Sequence, residues 1–213
     1  MSVSLVIFGP HIRALPPHYL AAIRDYVVGH PILRCIPDEI STLHDIWNLL
    51  AKENKDIAKL SKGPRFAESF QKWLVEGALD GPVFISSSSI VVLPRLAITQ
   101  FAQYFQFLES LHLTHEDFIS GLSKVGGIQG FCGGLPAAAA LASARNDEEL
   151  KRGMCTAIRL AFAIGLCAEL GDDSDIPGVT TAIVRLRMGS QAEELARMFP
   201  RVSRLLYWFK RRE

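Results

Sequence analysis

Apolar residues recur along this chain with two spacings, a short continuous run near the start and helical three-to-four spacing over most of the rest. Val3 to Phe8 (VSLVIF) is mostly apolar and ends at Gly9-Pro10, which reads as a buried strand followed by a loop. Pro16-Pro17 opens a helix through about Val28, with Leu20, Ile23 and Val27 on one face, and Gly29-His30-Pro31 stops it. Ser41 and Thr42 are N-cap candidates for a helix reaching about Leu60, whose apolar set is Leu43, Ile46, Trp47, Leu50, Ile57 and Leu60. Phe66, Phe70, Trp73 and Leu74 mark a further helix ending near Gly81-Pro82.

Phe84 to Leu93 (FISSSSIVVL) is ambiguous, because the serines suit a loop while IVVL can begin a strand or a helix. Pro94 fits the first position of a helix carrying Ile98, Phe101, Phe105 and Leu108, with Gln100, Gln103 and Gln106 on its polar face. Thr114 to Asp117 resembles a capping box with Asp in the acidic position. Val125 to Ala140 reads as a short strand, a glycine-flanked cysteine and an alanine-rich helix. A long helix follows from about Asp147 to Leu170. Gly171 to Gly178 is a linker, Thr180 to Arg187 alternates like a strand, and Ser190 to Met198 reads as a helix. The pattern divides the chain into a large domain, 1–178, and a smaller piece, 179–213.

Composition narrows the class. The chain has 213 residues, 49% hydrophobic and 21% charged, enough for one substantial core. No stretch approaches 18 consecutive apolar residues, so no transmembrane segment is expected, and Met1 to Pro10 lacks the features of a secretory signal. Four irregularly spaced cysteines show no disulfide framework and no CxxC pair, so the expected compartment is the cytoplasm. The net charge of +1 conceals a tail from Arg185 to Glu213 with eight basic and three acidic residues. A short basic tail on a nearly neutral chain is no nucleic-acid footprint, and no nucleic-acid partner is expected.

The chemistry centres on Gly130-Phe131-Cys132-Gly133-Gly134, which fits G-x-C-x-G, the thiol counterpart of the G-x-S-x-G nucleophile elbow. A nucleophile on a tight strand-to-helix turn needs small neighbours, so Gly130 and Gly134 are the candidate elbow glycines. The Gly133 N–H can point at a developing oxyanion, and the following helix brings its positive end near the sulfur. A glycine-rich turn holding an inert cysteine is the alternative reading.

Gly126 to Ala144 (GGIQGFCGGLPAAAALASA) resembles the elbow of starter-unit:acyl carrier protein transacylase (SAT) domains of fungal non-reducing polyketide synthases. The opening VIFGP, Leu96 to Leu108 and Ala157 to Gly165 fit the same family in the same order. The resemblance implies an α/β acyltransferase (α/β-hydrolase-like) large domain and the beginning of an incomplete ferredoxin-like small subdomain. It implies transfer of a starter acyl group from an acyl-CoA, or from a phosphopantetheine-linked donor on a fatty acid synthase or partner polyketide synthase, through a thioester on Cys132, to an acyl carrier protein. No bound cofactor and no metal site are expected.

Two departures qualify that expectation. The family places a Gln after the first strand beside the oxyanion hole, where this chain has His11. All six histidines precede Cys132, whereas the family's catalytic His follows the elbow. The expected reaction is therefore impaired. Two other readings stay open: an inactive SAT remnant acting as a docking module, and a cysteine thioesterase or hydrolase.

Among the remaining residues, Arg159 reads as one half of a structural ion pair, and Cys155 and Cys167 read as packing residues. Cys35 reads as a loop thiol, and His112 and His115 lack the partners that would complete a metal site. Leu205 to Phe209 reads as a covering segment for an apolar face. An unpaired strand edge after about Gly178 predicts self-association through the C-terminal end.

Overall fold

The computed structural model describes residues 5–9, 15–60, 63–77 and 88–172. The expected boundary near residue 178, the strand and helix of the small subdomain, and the tail lie outside the described residues. So does His11.

Within that range the protein is mostly helical with a small parallel sheet. Strand β1 (Leu5–Phe8) pairs in parallel with β2 (Gly127–Gly130), in the register Leu5↔Gly127 to Phe8↔Gly130. A parallel pair cannot close through a hairpin, so the intervening helices form the crossover. Phe8 faces the core, whereas Leu5 and Ile7 are 51% and 61% exposed, so the expected fully buried strand is buried on one face only. Side chains alternate across a strand, and helices cover one side of this sheet among the described residues.

Helix α1 (Pro17–Gly29) starts as expected, with Pro17 at its first position and Leu20, Ile23 and Val27 buried. Helix α2 (Cys35–Glu53) starts six residues before the expected caps. Pro37 sits in its first turn, where the missing N–H costs nothing. Ser41 and Thr42 lie inside the helix and bond back to Asp38 O (2.6 Å) and Glu39 O (2.8 Å). Asn54 ends α2 and its side chain caps the short helix α3 (Lys55–Lys59), which splits the expected single helix in two. Helix α4 (Gly63–Gln71) runs on through one π turn, Lys72–Glu76, and stops at left-handed Gly77 (φ 71°), before the expected Gly81-Pro82. Arg24 of α1 donates to the carbonyls of Leu74 (3.1 Å) and Val75 (3.0 Å), satisfying the end of that turn.

Helix α5 (Ser89–Ser110) resolves the serine-rich ambiguity: IVVL is helical, and Pro94 lies inside the helix rather than at its start. Glu169, 80 residues away, accepts the Ser89 N–H at 2.6 Å and caps the helix. Helix α6 (His115–Val125) has the expected cap, with Thr114 accepting from Asp117 N–H at 3.1 Å. Helices α7 (Leu135–Ser143) and α8 (Asp147–Asp172) complete the described order.

Helix α8 packs on α5 and α7. It averages apolar enough over 18 residues to span a membrane despite its interrupted sequence. Its Leu150, Met154, Ile158 and Phe162 are fully buried in the protein core, and Phe162 stacks on Phe66 of α4 at 4.8 Å. That face is a core seam between helices.

Candidate functional site

The site is built where the sheet hands the chain to α7. Strand β2 ends at Gly130, Phe131 continues extended, and Cys132–Gly134 form one 3-10 turn before Leu135 starts the helix. The Phe131 N–H donates to Phe8 O at 2.9 Å, so the turn is tied to the end of β1. Cys132 itself has φ 53°, a left-handed conformation that costs an L-residue other than glycine about 1 kcal/mol. Its thiol is exposed.

The neighbouring glycines have definite steric reasons. A Cβ on Gly130 would lie 2.5 Å from Leu135 Cα and 2.6 Å from Gly134 O, inside the turn itself. A Cβ on Gly134 would collide with the carbonyl of Phe8. Strand, turn and helix approach so closely that both positions must lack a side chain. The Gly134 N–H donates to Phe131 O at 3.0 Å and the Leu135 N–H to Cys132 O.

Of the residues singled out in the sequence, Gly130, Cys132, Gly133 and Gly134 come together in this turn, beside the Phe8–Gly9 end of β1. His11 lies outside the described residues. Gln100, expected on the polar face of α5, is instead 4% exposed and donates through Nε2 to Gly9 O at 2.8 Å. Its Oε1 is buried with no hydrogen-bond partner among the described residues. The signal was its spacing: Gln100 stands four residues after Leu96, whose side chain faces Gly133, so both share one face of α5.

No described histidine bonds to Cys132. His115 is 3% exposed and fully engaged, with Ala144 O 3.1 Å from Nε2 and the Tyr104 hydroxyl 2.7 Å from Nδ1. A carbonyl only accepts, so Nε2 carries the proton and Tyr104 donates to Nδ1. Burial holds the His115 pKa below its ordinary 6.5. Neither ring nitrogen is free for a metal, and among the described residues no group of three His, Cys, Asp or Glu could hold one. Arg159 is paired, as expected, through a two-point contact with buried Glu39 of α2 (2.5 and 2.7 Å). Cys35 is no loop thiol, since it opens α2.

Residues 67–202 match the family model described as "Starter unit:ACP transacylase in aflatoxin biosynthesis". The chain is 38% identical over 197 residues to the non-reducing polyketide synthase atr1 of Stereocaulon alpinum, covering 92% of this chain and 8% of that protein. It is 42% identical over 148 residues to the non-reducing polyketide synthase pks12 of Talaromyces marneffei, covering 66% and 8% respectively. Against the non-reducing polyketide synthase Preu6 of Preussia isomera the identity is 31% over 198 residues, covering 93% and 9%. The chain thus spans less than a tenth of the length of these curated relatives.

Proposed function

The chain belongs to the starter unit:ACP transacylase family, and from that membership we propose that Cys132 is its acyl-accepting thiol, on a nucleophile elbow. The observation that carries the reading is the left-handed Cys132 on an exposed turn between a parallel strand and a helix. Backbone strain at a nucleophile is stored where it presents the side chain to a substrate.

In the proposed reaction, the Cys132 sulfur attacks the carbonyl carbon of an acyl thioester, either acyl-CoA or a phosphopantetheine-linked donor. The carbonyl oxygen becomes an oxyanion. The turn uses the N–H groups of Phe131, Gly134 and Leu135 internally, and we assign that of Gly133, the residue after the nucleophile, to this oxygen. We assign the second side of the oxyanion site to the loop from Gly9 to His11. The positive end of α7 lies beside the developing charge. The donor's sulfur then leaves with a proton, and an acyl carrier protein's thiol accepts the acyl group in a second, reverse exchange.

A thiol paired with a base accelerates both steps, and no described histidine provides that pairing here. We therefore expect the 213-residue chain to acylate slowly and to pass little acyl group onward. Intact-mass spectrometry after incubation with acyl-CoA tests this, with Cys132→Ala as control. The expected result is one slow adduct lost in the variant. An adduct that survives Cys132→Ala places the reactive thiol elsewhere, and no adduct at all supports a docking module instead.

A further inference from the structure

A second pair of thiols stands apart from the Cys132 turn. Cys35 opens α2, where its sulfur lies 3.4 Å from Ile32 O. Cys155 lies in the middle of α8, with its sulfur 3.9 Å from Cys35 O. The Cys155 side chain thus reaches the backbone of Cys35 across the α2–α8 seam, and both residues are half-buried. One turn further along each helix, Glu39 and Arg159 form their two-point ion pair, which holds α2 and α8 together beside the thiols.

We propose that Cys35 and Cys155 are a peroxide-oxidisable dithiol whose disulfide clips α2 to α8. One sulfur lies 3.9 Å from the other residue's carbonyl, and an ion pair one turn along fixes the two helices beside them, which places the thiols side by side for a disulfide to form. Their environments also divide the labour. Contact with Cys155 holds the Cys35 thiol below the usual thiol range, with burial opposing and the Lys151 ammonium assisting. The same contact, with burial, pushes Cys155 up. Cys35 also stands at the first position of α2, whose positive end favours a thiolate, whereas Cys155 sits in the middle of α8, so Cys35 is the attacking thiol and Cys155 the resolving one.

The oxidant is hydrogen peroxide or another peroxide. The Cys35 sulfur attacks one peroxide oxygen, the O–O bond breaks, and the departing hydroxide takes a proton to become water, leaving a sulfenic acid. The Cys155 sulfur then attacks the Cys35 sulfur. The S–S bond forms, the S–O bond breaks, and hydroxide leaves with the Cys155 proton as a second water. Two thiols lose two electrons in all, and one peroxide becomes two waters. A thiol reductant reverses the bond by exchange.

The test uses the full chain treated with hydrogen peroxide, blocked with a maleimide and mapped by non-reducing peptide mass spectrometry. The expected product is a cross-linked Cys35–Cys155 peptide that dithiothreitol releases. It should vanish in Cys35→Ser and in Cys155→Ser, and persist in Cys132→Ser and Cys167→Ser. In Cys155→Ser, Cys35 should stop at the sulfenic acid and take up dimedone, whereas Cys155 in the Cys35→Ser chain should not. The bond closes a loop of 120 residues, so the oxidised protein should melt about 5 °C higher or more. Maleimide on both thiols after peroxide treatment would overturn the proposal. So would a cross-link through Cys132 or Cys167, or one that forms only in urea.

Discussion

The two ends of α7 carry opposite arrangements of polar groups. At its start, the Cys132 thiol is exposed, strained at φ 53° and bonded to no described side chain. About 13 Å away along the axis, the end of the helix is sealed. Ala144 O accepts from His115 Nε2, His115 Nδ1 accepts from Tyr104, and all three residues are buried. The same short helix therefore presents one group to solvent by fixing everything around it. Strain at the open end persists only because the surrounding structure over-determines it, through the strand pairing on one side and the buried clamp on the other. Breaking either end separately shows which part holds the turn.

The largest effect is expected at the open end. Gly134→Ala places a methyl group against the Phe8 carbonyl, which is backbone and cannot rotate away. The turn must separate from β1, and the Phe131-to-Phe8 hydrogen bond goes with it. A loss of about 3 kcal/mol or more is expected in urea unfolding, with loss of Cys132 acylation in whatever folded protein remains. Retained stability and acylation would show that the turn tolerates a shift this structure does not allow.

At the sealed end, His115→Ala leaves the Tyr104 hydroxyl and the Ala144 carbonyl buried without their partner, at a cost of about 2 kcal/mol. The smaller companion effect is on pH. Burial depresses the folded His115 pKa, while Ala144 O, Asp147 and Glu116 oppose that shift. Tyr104 faces the ring from α5 with its own pKa raised by burial, so it stays neutral. The unfolded chain takes up the proton near 6.5 and the folded chain only at lower pH. Stability is therefore full above that value and falls as pH drops through it, by up to about 1 kcal/mol near pH 5.5. His30, also depressed by burial, adds in the same direction. Urea midpoints at about pH 7.5 and about pH 5.5 for wild type and His115→Gln separate the two. An unchanged slope in the variant assigns the titration to His30 or another group.

What could be read from the residues follows the same division between local and distant causes. The Cys132 turn was legible because Gly130 is set by contacts within nine residues and Gly134 by a parallel strand with its own apolar run. The α6 cap was legible because Thr114 and Asp117 satisfy each other. The start of α5 was not, since Glu169 of α8 supplies the cap from 80 residues away and carries Pro94 into the helix interior. Ser41 and Thr42 misled because a hydroxyl that caps one helix can bond back to a carbonyl inside another. Gln100 was misplaced because a glutamine reads as polar surface, while here the side chain is buried and the backbone carbonyl of Gly9 takes its N–H. Of the two thiols between α2 and α8, Cys35 alone reads as a loop thiol and Cys155 alone as packing, and only the contact between the helices brings them together.

The smallest expected effect is the sharpest test of the open end. Gly133 lies between Cys132 and Gly134, and an added Cβ there would meet Leu96 Cδ2 at 2.7 Å and Leu93 Cδ2 at 3.4 Å. Both atoms are the far ends of flexible side chains, so a rotamer change relieves the clash where the Phe8 carbonyl could not move for Gly134. Gly133→Ala also keeps the backbone N–H proposed for the oxyanion. It should cost under about 1 kcal/mol in urea unfolding and leave the rate of Cys132 acylation within a few-fold of wild type. A stability loss as large as that of Gly134→Ala would mean that α5 is rigidly seated on the turn through Leu96. A lost acylation rate with stability intact would mean that acyl donors pass between Leu93, Leu96 and the turn, and that the added methyl group closes their path to the thiol.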